Sequence, residues 1–178
     1  MDLRTERTRQ NIKNAFLELR KHKPLEKITV KELAELAYIN KATFYTHYKD
    51  IYDLADQLED QFIESIIHGI PHPECIITHP AVATKELANA LIARHDIVDT
   101  LFSGSRHNYL PEKLYTKLGE HIRTLYPEWD FTLQRAITLS IIIQGMFHAY
   151  QLFATPENRE EVIDILGNIG TYLKDQFL

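Results

Sequence analysis

Apolar residues along the chain recur at three- and four-residue intervals, and no stretch alternates in the manner of a strand, so the pattern predicts helices throughout. A first helix is expected from about Thr5 to Lys21, with Ile12, Ala15, Phe16 and Leu19 as its buried stripe. Pro24 ends it, and Leu25 and Ile28 return the chain to the core. Thr29-Val30-Lys31-Glu32 fits a capping box, in which the Thr29 hydroxyl accepts from the amide three residues on and Glu32 reaches back. Val30, Leu33, Ala34 and Ala37 then share one face, and Tyr38 and Ile39 make a turn. Asn40 is a good N-cap for a further helix in which Ala42, Phe44 and Tyr48 brace the fold while Lys41, Thr43, Thr46 and His47 point outward. Two short helices joined by a tight turn, with a polar tip free of acidic residues, read as a helix-turn-helix over Thr29–Lys49.

Asp50 can cap the next helix, with Asp53 at its third position, and Tyr52, Leu54, Ala55, Leu58, Phe62, Ile63 and Ile66 carry it to about His68. Gly69-Ile70-Pro71-His72-Pro73 breaks the chain, and helical signal resumes from Ala81 to Leu101 with Leu87, Leu91 and Ile92. After a loop at Ser103-Gly104-Ser105, Pro111 suits the first turn of a helix running to Leu125, in which Leu114, Leu118 and Ile122 keep helical spacing. Tyr126-Pro127-Glu128 ends that helix. The helix expected from Phe131 to Phe153 is apolar on nearly every side and must be covered on several faces. The last, Glu157 to Phe177, carries Val162, Ile165, Leu166, Ile169, Leu173 and Phe177, with Gly167 and Gly170 beside them. Glycine inside a helix costs about 1 kcal/mol against alanine, so the pair suggests that another helix backbone comes close.

Ile12, Ala15 and Phe16, then Ile28-Thr29-Val30 and Leu33-Ala34, and above all Ala42-Thr43-Phe44-Tyr45-Thr46-His47-Tyr48-Lys49-Asp50 followed by Leu54, resemble the DNA-binding head of the TetR family of bacterial transcription regulators. The resemblance covers roughly the first third of the chain; the rest is similar only in length and helical character. It implies a homodimer on palindromic operator DNA, with the last two helices of each chain forming a four-helix bundle and the helix after Asp50 acting as a lever between head and body. It further implies that Lys41, Ala42 and Thr43 face base edges while Thr29, Tyr45, His47, Tyr48 and Lys49 hold phosphates. Two positions depart from the family. Its turn usually has glycine where this chain has Tyr38, so either the turn needs no positive backbone angle or Tyr38 bears strain. Its phosphate-gripping lysine is replaced by Ile51, a role that Lys49 is expected to take.

The net charge of −5 is unevenly spread: up to residue 50 there are 11 Lys and Arg against 7 Asp and Glu, and beyond it 9 against 18. A basic head on an acidic body presents one face to phosphates. In a TetR-like head, Arg4, Arg7 and Arg9 at the start of the first helix would lie near the phosphate backbone; an ordinary charged terminus explains them equally well. Cys75 alone permits no intrachain disulfide, the N-terminus lacks the apolar segment of a signal peptide, and the run Ala136–Phe147 is too short to span a bilayer. A soluble, cytoplasmic protein is expected.

Candidate chemistry is sparse. His68, His72, Cys75 and His79 are metal-ligating types, but their spacing matches no standard motif, two prolines lie within it, and nine histidines in 178 residues cluster by chance, so no metal is assigned. Phe102, Tyr115, His121, Gln144, Phe147 and His148 are candidates for an aromatic-walled pocket that takes a small, largely uncharged effector, although core packing explains most of the aromatics. Glycine-rich phosphate loops and hydrolase or metalloprotease motifs are missing, and nothing orients Ser103, Ser105 and His107 as a catalytic set, so neither an enzyme nor a cofactor is expected.

The expectation is therefore an all-α protein with a three-helix helix-turn-helix head at residues 1–50 and a helical regulatory and dimerisation body at 51–178. Its function would be ligand-responsive transcription regulation, with repression the family's usual role. The alternatives are an activator that recruits a partner through its body, or a helical protein-interaction module.

Overall fold

The computed structural model describes residues 3–72 and 75–178. Met1 and Asp2 of the charged N-terminus, and Pro73 of the expected break, lie outside the described residues. Those described form an all-helical chain: α1 (Leu3–His22), α2 (Val30–Leu36), α3 (Lys41–Tyr45), α4 (Ile51–His68), α5 (Cys75–Thr78), α6 (Pro80–Ile92), α7 (His95–Leu101), α8 (Tyr109–Leu125), α9 (Leu133–Phe153) and α10 (Arg159–Phe177). Single 3-10 turns stand at Leu25–Lys27 and Gly104–Arg106.

The boundary expected after Asp50 is not where the chain divides. One compact unit contains the chain up to Phe62 together with His95–Asn108; the other contains Ile63–Arg94 and Tyr109–Leu178. Helix α4 is thus shared, and the stretch expected as one helix from Ala81 to Leu101 is two, α6 and α7. The break falls at Ala93-Arg94, where the chain passes from one unit to the other, and neither proline nor glycine marks it.

In the first unit Ile12, Phe16, Leu25, Leu33, Phe44 and Leu54 are fully buried. The inserted segment is tied in by two buried arginines. Arg106 donates to both carboxylate oxygens of Glu59, through Nε at 2.8 Å and through Nη2, and Nη2 also donates to Asp56. Burial opposes its charge, but the bonds and charges of Glu59 and Asp56 outweigh that and raise its pKa. Arg20 of α1 donates through Nη2 to the Ser103 hydroxyl at 2.8 Å and to the carbonyls of Ser103 and Leu101 at 3.3 and 3.4 Å, and through Nη1 to the Lys23 carbonyl at 3.0 Å. Ser105 donates to Glu26, and Phe102 packs on Phe62 with ring centroids 6.2 Å apart. Ser103 and Ser105 are therefore structural ties.

In the second unit Leu110, Leu114, Ile122 and Ile163 are fully buried, and α10 packs mainly on α6 and next on α9. Gly167 of α10 does admit a close helix backbone, that of α6 in the same chain, whereas Gly170 chiefly faces the Met146 side chain of α9. A Cβ built on Gly167 would stand 2.9 Å from the Cα of Ala81, and one on Gly170 would meet the terminal methyl of Met146 at 2.5 Å and Pro80 at 3.7 Å. Gly145 of α9 has nothing within 4 Å of such a Cβ. Nor is α9 covered as expected: Leu133 (77% exposed), Ile137, Ile141 (59%), Leu152 and Phe153 stand open, while on α10 Ile165, Ile169 and Tyr172 do the same. Helix α9, at 21 residues, is long and apolar enough to cross a membrane by length and composition alone, a test that core helices of soluble proteins also pass.

Gly167→Ala should destabilise the protein by roughly 1–3 kcal/mol, because the α6 backbone must move to admit the methyl group. Gly170→Ala should be near neutral, since the flexible end of Met146 can yield and the helix gains propensity. Urea midpoints of the two variants check this, and equal losses at both positions would contradict it.

Candidate nucleic-acid interface

A polar surface is built by α2, the turn after it, and α3. The Thr29 hydroxyl accepts from the Glu32 amide at 3.2 Å and starts α2. At the other end the Ile39 amide donates to the Ala34 carbonyl at 3.0 Å and the Tyr38 amide to the Glu35 carbonyl at 3.3 Å. That pair of bonds is a Schellman closure, which requires a left-handed residue between helix and turn. Tyr38 supplies it with φ +56°. Of the two readings open for this position, the strained one holds, at a cost of about 1–2 kcal/mol for a residue with a side chain. Asn40 then caps α3: its Oδ1 accepts from the Thr43 amide at 2.7 Å and from the Thr43 hydroxyl at 2.9 Å. With its proton committed to Asn40, the Thr43 hydroxyl offers lone pairs and a methyl group outward.

Thr29, Lys41, Ala42, Tyr45 and Lys49 are exposed, and Thr43 and His47 are partly so. No acidic residue stands in the first turn of α3. Tyr48 departs from the expected set. It is only 6% exposed, its ring lies 5.6 Å from that of Phe44, and burial pushes its phenol pKa up. Its ring belongs to the core and braces α3. Ile51 is buried too, so this position carries a core side chain in place of a surface cation. Beside it the Lys49 amide donates to the Asp53 carboxylate at 2.8 Å, and the Asp53 amide donates to Asp50 at 2.8 Å. The first of these bonds, with one from Gln57, holds the Asp53 pKa below its usual value. The Lys49 backbone is thus pinned at the entrance to α4. Arg4, Arg7 and Arg9 are exposed on α1.

The six candidate effector contacts do not share one compact unit. Phe102 is buried in the first, while Tyr115, His121, Gln144, Phe147 and His148 belong to the second. Gln144 and His148 are exposed on α9, and Gln144 donates to Ser140 at 3.0 Å. His121 is different. Its Nε2 is buried without a hydrogen-bond partner, and its ring meets His68 edge-on at 5.6 Å. Desolvation first, and the charge of His68 second, lower its pKa. Aromatic residues between α8 and α9 are occupied by cations: Arg123 lies 4.0 Å above Phe131 and Arg135 4.8 Å above Trp129. Of the histidine and cysteine run, His68 bonds the Glu64 carbonyl and His72 pairs with Glu86. Cys75 lies 4.0 Å from His79. Among the described residues no group of three or more His, Cys, Asp or Glu could hold a metal ion.

Comparison with protein-family models, with curated proteins and with solved structures gave no match.

Because the folded state holds His121 with a lowered pKa, the unfolded chain binds the extra proton more readily, and stability should fall as pH drops through the ordinary histidine range near about 6.5. His121→Phe should flatten that dependence and leave neutral-pH stability unchanged or higher, since it removes a buried polar atom with no partner. Thermal melts of both proteins between pH 5 and 8 decide it. Parallel pH profiles would rule His121 out as the source.

Proposed function

We propose that this chain is a TetR-like transcription regulator that binds palindromic operator DNA as a homodimer. The observation that carries the reading is the α2–turn–α3 surface: two capped helices, a closed turn, and an exposed tip of Lys41, Ala42, Thr43 and Tyr45 without an acidic residue. In this reading α3 enters the major groove, where Lys41, Ala42 and Thr43 face base edges and Thr29, Tyr45, His47 and Lys49 hold phosphates. Lys49, with its backbone fixed by Asp53, takes the place of the family's lysine at the position of Ile51.

The open apolar rows of α9 and α10 support the dimer. Contiguous apolar surface of this kind marks an association face, and the polar residues exposed among it on α9, Gln144, His148 and Gln151, disfavour lipid as the occupant. An effector would be a small, largely uncharged molecule bound in the second unit, where the unpartnered Nε2 of His121 offers a hydrogen-bonding atom. Its effect on operator binding would equal its difference in affinity for DNA-competent and DNA-incompetent dimers. Repression is the family's usual role; activation through a partner bound by the second unit uses the same DNA surface. A helical interaction module is the rival class, and selection from a random DNA pool separates it, because only the regulator enriches a palindrome.

On the selected operator, Lys49→Ala and Tyr45→Ala should weaken binding to all sequences alike, and Lys49→Ala should lower the slope of log affinity against log salt by about 0.9. Thr43→Val should instead alter preference at one base position of each half-site, at about 1–3 kcal/mol. A salt slope unchanged by Lys49→Ala removes that residue from the phosphate set.

A charge in the middle of the open α9 row, Ile141→Glu, should shift the protein from dimer to monomer without unfolding it, since Ile141 is 59% exposed in the single chain. Light scattering and circular dichroism read the two effects. A monomeric parent protein would end the dimer proposal.

A further inference from the structure

Tyr38 occupies the backbone conformation that glycine adopts without strain, yet the residue is 93% exposed and its side chain makes no hydrogen bond or ring contact among the described residues. A strained residue persists where something over-determines it, and strain of this kind concentrates at functional sites. Core packing is not the reason here, because the ring is in solvent. The Schellman closure is not the reason either, because its two bonds use backbone atoms that glycine supplies equally well. What the tyrosine adds is a phenol held outside the fold, two residues before the Asn40 cap and three before Lys41.

We infer that Tyr38 is an additional DNA contact, its hydroxyl donating a hydrogen bond to a phosphodiester oxygen beside the groove that α3 enters; this rests on the DNA-binding reading above. A left-handed backbone at this point turns the side chain away from α2 and from the core, leaving it free to meet a partner that is absent from the isolated chain. A phenol suits a phosphate: it donates one hydrogen bond, and its rigid ring loses little conformational freedom on binding. Because the hydroxyl carries no charge, it displaces no counterion. Its contribution therefore differs in kind from that of Lys49.

The test compares the parent protein with Tyr38→Phe and Tyr38→Gly, by thermal melting and by fluorescence anisotropy against both the duplex selected by the parent and an unrelated duplex. Tyr38→Gly should melt several degrees higher, since the strain is released, and yet bind both duplexes about tenfold more weakly. Tyr38→Phe should melt like the parent and lose most of the same affinity, with the salt slope unchanged in both variants. If the parent selects a duplex and Tyr38→Phe binds it as tightly as the parent does, the hydroxyl contact is wrong while the regulator reading stands. A Tyr38→Gly protein no more stable than the parent would remove the strain on which the inference is built. If the parent selects no duplex at all, the regulator reading and this contact fall together.

Discussion

Glu59 has no exposed surface, and Arg106 meets its charge with two hydrogen bonds. An ion pair so placed is not cheap stability; its force as a constraint is that removing Arg106 leaves the buried Glu59 carboxylate without those two bonds. Since Arg106 comes from a segment 47 residues further along the chain, the pair obliges His95–Asn108 to complete the first compact unit. Arg20 reinforces it from α1 by taking the carbonyls at the end of α7. A head of residues 1–50 alone would lack Arg106, the Leu101 and Ser103 partners of Arg20, and the α4 surface that Ile51, Leu54, Ala55 and Leu58 bury.

The second unit is organised by close approach instead. Where α6 packs on α10, Ala81 faces Gly167, and the absence of a side chain there allows the two backbones to come within van der Waals distance, while Gly170 makes room for the end of Met146 from α9. That choice leaves the opposite side of α10, and much of α9, without a partner in the single chain. A soluble monomer rarely leaves rows of Leu, Ile and Phe open in this way, and the proposed dimer rests on that surplus apolar area.

The turn between α2 and α3 shows how a local rule can be broken without loss of the local structure. Both carbonyls at the end of α2 are satisfied and Asn40 restarts the helix at once, so the backbone path is over-determined on either side of Tyr38. The penalty for a side chain in the left-handed region is then borne by the fold as a whole.

All-helical character, the capped helices, and the polar tip of Lys41, Ala42 and Thr43 were legible in the sequence, because capping boxes and three- and four-residue periodicity are local properties that act within a few residues. The same locality explains what was misjudged. Most helix termini moved by one or two residues, α3 ends at Tyr45 before the expected Tyr48, and the break at Ala93-Arg94 has no local signal because the passage between units imposes it. Tyr48 carries both a core ring and a polar hydroxyl, and only packing against Phe44 decides which one faces solvent. Gly167 and Gly170 announced a close helix, but sequence cannot say whose, since an intrachain and an interchain neighbour demand the same small residue. The roles of Arg20 and Arg106 were invisible, as long charged side chains are solvated in most places, and only tertiary structure brings a buried carboxylate within their reach.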